Sequence, residues 1–304
     1  METTALDPDH EASPSASAIR SSPLGDFAEL IKARLTLLVL LTTAVGYYMG
    51  APPTIDVRGL LHVFLGTSLA AAGAAALNQW WERRLDGLMN RTKLRPLPAG
   101  RMSAIGALTV GILLSAAGVA YLAWACNRLT ALLAFLTVAL YILAYTPLKR
   151  ISTANTLIGA IPGAIPPLIG WAAARGELGV GAWSLFAIMF FWQMPHFFAI
   201  AWLYRVDYAR AGFRMVSNDD DSGARSSSQS VLFCILLLMI SGLPTNLGLT
   251  TSVYLAFALA LGGFYTAMAL RFHNRRTARD ARNLFLSSII YLPLLLAALV
   301  LTKI

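Results

Sequence analysis

Runs of roughly 20 apolar residues recur along almost the whole of this 304-residue chain, and they limit the folds that are open to it. Each run is long enough to cross the hydrocarbon core of a bilayer as an α-helix. The runs are continuous, whereas a membrane β-barrel would show alternating segments of about ten residues. Only 13% of the residues are charged, against about 25% in soluble domains. The sequence therefore predicts an all-α, multi-pass integral membrane protein.

Nine runs are long enough to span, and they predict a single membrane domain over residues 25–304, while residues 1–24 differ in composition. That first segment contains Ser and Pro clusters and four acids. It is expected to be a disordered tail, and neither a signal peptide nor a transit peptide. The predicted spans are 35–52, 59–81, 104–125, 129–146, 153–173, 182–203, 230–247, 251–270 and 284–301.

The basic residues alternate between the two sides of the predicted bundle. Twenty of the 24 lie in the tail and in the loops after the even-numbered spans, and four lie on the other side. Because Lys and Arg are enriched in cytoplasmic loops, we expect the N-terminus and these loops in the cytoplasm, in the cell inner membrane. Orientation also accounts for the net charge of +9 better than binding to nucleic acid does.

Three oxygen-bearing side chains follow the second span at a spacing of four residues. They are Asn78, Glu82 and Asp86, and a helix that continues past the membrane edge would place them on one face. Two carboxylates and an amide oxygen suit Mg²⁺, which takes few protein ligands and completes its shell with water and phosphate oxygens. The spacing alone favours this site no more than a solvated helix end whose acids pair with neighbouring arginines.

Further charged residues are expected at the same membrane face. Arg91 and Arg95 are suited to bidentate phosphate contacts, and Lys149 and Arg150 follow the fourth span. Taken singly, each is better explained as a residue that orients the protein, but acids and arginines together at a membrane edge suit a magnesium diphosphate. Asp207, after the sixth span, comes from the same side and is a candidate to face Asp86 across a shared metal site.

Irregular and polar segments are predicted inside the bundle. Residues 155–171 contain three prolines and three glycines, which favours a kinked helix that opens a groove, or one that packs closely through its small residues. Pro147 is expected to end or bend the fourth helix, and Asn155 is a possible polar contact. Gln193 and His196 share a face at membrane depth. A buried histidine is usually a satisfied core residue, but polar groups at this depth are also functional candidates, here for a planar ligand or its iron.

The ordered set of motifs resembles the UbiA superfamily of intramembrane prenyltransferases, and within it the haem-farnesylating branch. The resemblance extends from about Asp26 to Leu301, and it is the order of the motifs that makes it specific. The segments that carry it are residues 78–100 (NQWWERRLDGLMNRTKLRPLPAG), 145–150 (YTPLKR), 159–171 (GAIPGAIPPLIGW), 192–197 (WQMPHF), 207–215 (DYARAGFRM) and 291–295 (YLPLL).

This resemblance implies nine helices in a ring around a lipid-exposed central cavity. It implies two aspartate-rich cytoplasmic loops that hold Mg²⁺ and a prenyl diphosphate, and farnesyl transfer from farnesyl diphosphate to haem B, giving haem O. The product would go to haem A synthase or to terminal oxidase assembly. Glu82 stands where many members have aspartate, and the second loop offers essentially one carboxylate, Asp207. With this reaction in view, the candidate residues are Asn78, Glu82, Asp86 and Asp207 for magnesium and catalysis, and Arg91, Arg95, Lys149 and Arg150 for the diphosphate. Tyr145, Asn155, Gln193 and His196, chosen for their chemistry and position, are the candidates for haem.

Other functions fit parts of the same pattern. A related enzyme could prenylate a quinone precursor or a chlorophyll-like ring, although the motifs at 192–197 and 207–215 argue against it. A transporter of haem or of an anionic lipid would use the same basic residues at the membrane edge without catalysis. Its acids would lie at mid-membrane rather than at one edge. The aromatics Trp80, Trp81 and Phe197 are candidates to stabilise an allylic cation, or to anchor the protein at the interface.

Overall fold

The computed structural model describes residues 22–304. The predicted disordered tail, residues 1–24, lies outside the described residues except for its last three. Ser22 begins a short helix, α1 (Pro23–Leu30), because its hydroxyl accepts a hydrogen bond of 3.1 Å from the backbone N–H of Gly25. Lys32 then adopts a left-handed backbone conformation, with φ of 49°, that turns the chain into the first long helix.

Within residues 22–304, nine helices are long and apolar enough to cross a membrane, which confirms the predicted number and order of spans. A short helix, α8 (Arg205–Arg210), lies between the sixth and seventh of them. The nine are α2 (Ala33–Gly50), α3 (Val57–Asp86), α4 (Ala104–Ala125), α5 (Arg128–Leu148), α6 (Asn155–Arg175), α7 (Val180–Leu203), α9 (Ala224–Asn246), α10 (Ser252–Arg275) and α11 (Ala278–Leu301).

Several helices are longer than their apolar runs. α3 continues to Asp86, whereas its predicted span ends at residue 81, and α9 begins at Ala224 rather than at residue 230. Hydropathy marks only the part of a helix that is apolar, while the backbone ladder continues through polar turns. The extension of α3 matters for function because it carries Glu82 and Asp86 beyond the apolar segment.

α2 and α6 pack with their backbones in close contact. A Cβ atom on Gly46 would collide with the backbone of Pro167, and a Cβ atom on Gly170 would collide with the backbone of Thr43. Only glycine permits such an approach. This contact fixes the outer part of α6 against α2 and leaves its irregular face to the interior.

Two helices are distorted beside the central cavity. α6 is broken at Ile165, into Asn155–Ala164 and Pro166–Arg175, because Pro166 has no N–H to continue the hydrogen-bond ladder. The predicted kink is therefore confirmed. α5 is π-helical over Leu140–Tyr145 and ends at Leu148, next to Pro147 as predicted. The π-helical turn was not predicted from the sequence, and such turns are frequent at functional sites.

The polar loops after α3, α5 and α7 converge at one end of the bundle. The ammonium of Lys149 lies 2.7 Å from a carboxylate oxygen of Glu82. The backbone N–H of Arg91 donates to Asp207 over 3.3 Å, and that of Arg214 donates to the carbonyl of Lys149 over 2.6 Å. The residues that were predicted to share one membrane face do lie at one face of the structure.

Candidate active site

Two adjoining chambers occupy the interior of the bundle at this end. One is polar, with a volume of about 330 Å³, and the other is apolar, with a volume of about 290 Å³. We call them the polar chamber and the apolar chamber, and Leu35, Tyr141, Tyr145 and Phe197 line both. The polar chamber is further lined by Lys32, Asn78, Glu82, Asp86, Met89, Arg91, Arg95, Lys149, Asn155, Thr156, Ile200, Tyr208, Phe213 and Met215. The apolar chamber is further lined by Thr36, Leu38, Val39, Thr42, Ala71, Ala74, Ala75, Thr137, Gly159, Pro162, Gly163, Pro166, Met189, Trp192, Gln193 and His196.

The oxygen-bearing stripe on α3 faces the polar chamber. Asn78, Glu82 and Asp86 are 1%, 4% and 1% exposed, and all three line the chamber because α3 remains helical to Asp86. The acids are thus buried, which rules out the solvated helix end that the spacing also allowed. The burial of two carboxylates requires compensating charges.

Each member of the stripe has a cation as its partner, and these cations come from three different segments. Charged pairs in a buried setting are strongly coupled, since loss of one partner leaves the other charge uncompensated. The pairs are Lys32 Nζ with Asn78 Oδ1 at 2.7 Å, Lys149 Nζ with Glu82 Oε1 at 2.7 Å, and Arg95 Nη1 with Asp86 Oδ2 at 2.8 Å.

Asp86 retains one free oxygen. Its buried Oδ1 atom has no hydrogen-bond partner among residues 22–304, while its Oδ2 atom pairs with Arg95. The backbone carbonyl of Asp86 accepts a hydrogen bond of 2.8 Å from the Thr92 hydroxyl, which fixes the loop that carries Arg95. A buried carboxylate oxygen without a partner is uncommon, and it is available to a cation in the chamber.

The Lys32 side chain enters the polar chamber from the turn between α1 and α2. Its ammonium lies 2.7 Å from the amide oxygen of Asn78 and 3.4 Å from the hydroxyl of Tyr141. Burial, together with the neighbouring charges of Arg95 and Lys149, lowers the pKa of Lys32 to about 7. Because burial disfavours the charged form of Lys32, an anion that enters the chamber would favour its protonation.

The Lys149 ammonium remains fully charged. Burial acts to lower the pKa of Lys149, but the charge of Glu82 and the hydrogen bond to it hold that pKa above its ordinary value. The same ammonium lies 4.5 Å from the centre of the Tyr145 ring. Lys149 is therefore held between a carboxylate and an aromatic face inside the polar chamber.

The Arg91 guanidinium rests against two tyrosine rings. Its central carbon is 5.1 Å from the Tyr204 ring and 5.6 Å from the Tyr208 ring, and it donates a hydrogen bond of 3.3 Å to the Tyr208 hydroxyl. These contacts hold Arg91 at the mouth of the chamber, where a planar five-donor group suits a diphosphate.

Two of the predicted site residues do not line either chamber. Arg150 is exposed, next to the half-buried Lys149 that lines the polar chamber. Asp207 pairs with Arg210 at 3.1 Å and accepts a hydrogen bond from the backbone of Arg91. Its carboxylate supports the Arg91 loop. In the described part of the chain, no group of three or more His, Cys, Asp or Glu side chains is arranged to hold a metal ion.

The four predicted haem contacts are divided between the chambers. Gln193 and His196 line the apolar chamber, Tyr145 lines both, and Asn155 lines the polar one. Gln193 donates to the carbonyls of its own helix and of α6, over 2.9 Å and 3.3 Å. Asn155 donates over 2.7 Å to the carbonyl of Arg214 and thereby ties α6 to the loop after α8.

Aromatic rings line the junction, the region where the two chambers share lining residues. Most of them are not the rings proposed from the sequence to stabilise an allylic cation. Tyr141 and Tyr145 stack with their centres 5.5 Å apart, and both line the two chambers, as Phe197 does. Trp80 and Trp81 line neither, and Trp81 is 43% exposed. They therefore fit the interfacial role that the sequence also allowed.

Lys32 and Tyr141 were missed by sequence reasoning. Lys32 was counted only as a basic residue on the predicted cytoplasmic side, because its entry into the chamber depends on the left-handed turn. Tyr141 belongs to an apolar run and faces the cavity through the π-helical turn. The one available signal for Lys32 was a cation immediately before the first span, which orientation explains equally well.

Comparison with protein families identifies what this chain is similar to. A family model described as "UbiA prenyltransferase family" matches residues 39–291. A protein from Solibacter usitatus named "Protoheme IX farnesyltransferase" is 44% identical over 287 residues, which cover 91% of this chain and 98% of that protein. A protein of the same name from Koribacter versatilis is 42% identical over 294 residues, covering 93% and 94% of the two chains.

Solved structures show the same fold at low sequence identity. A structure described as digeranylgeranylglyceryl phosphate synthase in membranes superimposes with a TM-score of 0.78 at 16% identity, over 92% of this chain and 98% of the other. A UbiA homolog from Archaeoglobus fulgidus bound to GPP and Mg²⁺ superimposes with a TM-score of 0.66 at 15% identity, over 90% and 99%.

Proposed function

This chain belongs to the UbiA prenyltransferase family, and we propose that it transfers the farnesyl group of farnesyl diphosphate to a vinyl group of haem B (protohaem IX). The products are haem O and diphosphate. The two relatives named as protoheme IX farnesyltransferases support this pair of substrates, because the similarity extends over nearly the whole of both chains. The protein is a multi-pass membrane enzyme, and its substrate groups are apolar apart from the diphosphate and the porphyrin carboxylates.

The observation that carries the proposal is the junction of the two chambers. The polar chamber gathers four cations, Lys32, Arg91, Arg95 and Lys149, within reach of one anion. The apolar chamber adjoins it and shares four lining residues with it, and most of its walls are aliphatic and aromatic side chains. A molecule with a charged head and an isoprenoid tail matches this pair of spaces. The bond that is broken in the reaction would lie between them.

The four chamber cations are proposed to bind the diphosphate of the substrate and to stabilise it as a leaving group. Arg91 and Arg95 supply bidentate contacts, while Lys32 and Lys149 act as point charges. Arg150 is exposed beside the chamber, so its proposed part is to attract the incoming diphosphate.

The residues of the stripe fit a magnesium ion. Asn78, Glu82 and Asp86 offer only oxygen ligands from one helix face, and the free Oδ1 atom of Asp86 is one of them. When bound, Mg²⁺ would neutralise negative charge on the leaving diphosphate. Asp207 is proposed to act through the Arg91 loop on the same side of the chamber, in accord with its two contacts there.

The chemical step follows from the residues at the junction. The C–O bond between the farnesyl group and the diphosphate breaks, and the electron pair leaves with the diphosphate. The stacked rings of Tyr141 and Tyr145 face the resulting allylic cation and stabilise it through their π-systems. The vinyl group of the porphyrin forms the new C–C bond. Water then adds to the cation beside the ring and loses a proton, which gives the hydroxyethylfarnesyl substituent.

The porphyrin is proposed to meet the wall formed by Gln193 and His196. Both hydrogen bonds of the Gln193 side chain use its Nε2 atom as donor. Its Oε1 atom is therefore available to a ligand. The charge asymmetry of the loops supports an orientation in the inner membrane with the polar chamber on the cytoplasmic side. Haem A synthase or a terminal oxidase under assembly is the proposed recipient of haem O.

The experiment is extraction of haem from cells that depend on this protein for haem O. We expect haem O with the wild-type chain, and haem B alone with Asp86→Ala, because that variant removes a buried carboxylate of the stripe. Asp221→Ala is the matched control, since Asp221 is exposed in the loop before α9 and should leave haem O formation unchanged. Equal haem O in all three strains would contradict the proposed role of Asp86, and no haem O with the wild type would contradict the proposed function.

A further inference from the structure

One buried serine outside the chambers holds two of the rings that line the apolar chamber. Ser288 on α11 is 0% exposed and lines neither chamber. Its backbone carbonyl accepts a hydrogen bond of 2.9 Å from the indole N–H of Trp192, and its hydroxyl lies 2.7 Å from Nδ1 of His196. Trp192 and His196 are one turn apart on α7, with their rings stacked at 5.4 Å. Ser288 thus supports this wall from behind.

The second hydrogen bond of the serine favours one tautomer of His196. The Ser288 hydroxyl also lies 2.5 Å from the carbonyl oxygen of Phe285. A carbonyl oxygen can only accept, so the hydroxyl is the donor in this hydrogen bond. A hydroxyl has a single hydrogen, so the hydrogen that it gives to Phe285 is not available to His196. With the serine hydrogen on Phe285, the serine oxygen accepts at His196, and this arrangement puts the imidazole proton on Nδ1.

The other nitrogen of His196 is then left with a lone pair. His196 lines the apolar chamber, and among residues 22–304 no hydrogen bond to its Nε2 atom is found. The ring is flanked by Phe197 and Phe285, with centres at 5.7 Å and 5.1 Å, so its tilt is also restricted. Most buried polar side-chain atoms have a hydrogen-bond partner, so the open Nε2 atom of His196 is an exception that a ligand would account for.

We propose that Ser288 is a positioning residue for haem: it fixes His196 as the Nδ1–H tautomer, so that the Nε2 lone pair is presented to the iron of the bound porphyrin. This inference deepens the proposed function and depends on it for the identity of the ligand. Neutral imidazole is a common ligand of haem iron. Metal-bound histidines almost always donate their second N–H to a neighbouring acceptor, which orients the ring and raises its basicity.

The test is titration of the purified full-length protein, in detergent, with ferric haem B. The readouts are the visible absorption spectrum and the dissociation constant of haem. We expect the wild type to show a nitrogen-ligated iron and His196→Ala to lose that signature. Ser288→Ala should keep the fold but weaken haem binding by about 10- to 100-fold, as for other groups that support a metal ligand. Ser288→Thr, which keeps the hydroxyl, should restore binding.

Ser287→Ala is the matched control, because Ser287 is also buried on α11 and its hydroxyl bonds only to the Leu284 carbonyl. Its haem affinity should equal that of the wild type. Wild-type affinity in Ser288→Ala would overturn the positioning role, and an unchanged spectrum in His196→Ala would overturn iron ligation. If Ser288→Ala does not fold, ¹⁵N resonances of histidine in the wild type decide the matter, since a proton on Nε2 contradicts the inference.

The haem titration and the haem extraction test the positioning inference and the farnesyl transfer separately. If the wild-type protein makes haem O but His196→Ala binds haem with the wild-type spectrum, only the positioning inference fails. If the wild-type protein makes no haem O in cells, the farnesyl transfer fails as a function, while the titration still decides whether His196 ligates the iron.

Discussion

Oppositely charged side chains neutralise one another inside the polar chamber. Glu82 pairs with Lys149 and Asp86 with Arg95, while Lys32 donates to the neutral amide oxygen of Asn78. A diphosphate that enters carries several negative charges and competes with the carboxylates for these cations. The residues that bind the substrate are therefore also those that keep the chamber stable before it arrives.

Substitution of Lys32 tests whether this cation belongs to the diphosphate site. We expect Lys32→Met to raise KM for farnesyl diphosphate by at least about 10-fold, because one charge-assisted hydrogen bond contributes about 1.5–3 kcal/mol. Steady-state kinetics on the purified enzyme measure this. Lys93→Met is the matched control, since Lys93 is exposed and bonds to Asn90. Equal KM values for the two variants would remove Lys32 from the site.

The Lys149–Glu82 pair gives a prediction about stability. Lys149→Met leaves the carboxylate of Glu82 buried without a partner, which should lower the free energy of unfolding by about 3–5 kcal/mol. Adding Glu82→Gln removes that charge and should recover most of the loss. Thermal unfolding of the three variants in detergent measures the coupling. If the losses in free energy of unfolding from Lys149→Met and from Glu82→Gln simply add in the double variant, the two side chains are independent.

At the scale of helices, much of the fold could be predicted from the sequence because the spans follow from hydropathy. The break in α6 could be predicted as well, since proline removes a backbone donor. The π-helical turn Leu140–Tyr145 could not, because nothing in a run of apolar residues distinguishes i→i+5 from i→i+4 hydrogen bonding. Lys32 was missed for a similar reason, since its direction depends on one backbone dihedral angle.

α6 approaches the π-helical turn so closely at Gly159 that adding one methyl group there is predicted to disturb the neighbouring ring. A Cβ atom on Gly159 would lie 2.5 Å from the Tyr145 ring, at the junction of the chambers. We expect Gly159→Ala to displace that ring, to lower stability by about 1–3 kcal/mol and to reduce turnover. Gly263→Ala on α10 is the control, because a Cβ there has nothing within 4 Å. If both variants have wild-type turnover, the position of Tyr145 is unimportant for the reaction.

The start of α9 predicts a dependence of stability on pH. Burial alone would raise the pKa of Asp220, but hydrogen bonds, chiefly from Ser226, lower it below its ordinary value. The carboxylate accepts a 2.7 Å bond from the Ser226 backbone N–H. Because the folded-state pKa is lowered, this stabilisation is present above the unfolded-state pKa and is lost as the pH falls through the folded-state pKa.

Asp220→Ala should therefore lower stability by about 1 kcal/mol at neutral pH, and the difference from the wild type should shrink below about pH 4. Thermal unfolding over a series of pH values measures both. Asp219→Ala is the control, because Asp219 is exposed in the same loop. A difference that stays constant with pH would show that the carboxylate charge contributes nothing at this helix end.

At the scale of the whole molecule, the site is assembled from distant parts of the chain at one end of the bundle. Sequence reasoning placed the loops after α3, α5 and α7 on one side, because basic residues alternate with the spans. The sequence alone does not determine which basic residues contact the oxygen-bearing stripe of α3. Arg95 and Lys149 reach the stripe whereas Arg150 does not, and only the packing of the helices separates neighbours such as Lys149 and Arg150.

The most direct measurement uses the purified protein reconstituted in lipid vesicles with farnesyl diphosphate, haem B and Mg²⁺, followed by mass analysis of the extracted haem. We expect haem O, with one diphosphate released for each haem converted, and loss of both products when the Mg²⁺ is chelated. Recovery of haem B alone, with the farnesyl diphosphate intact in the presence of Mg²⁺, would contradict this expectation.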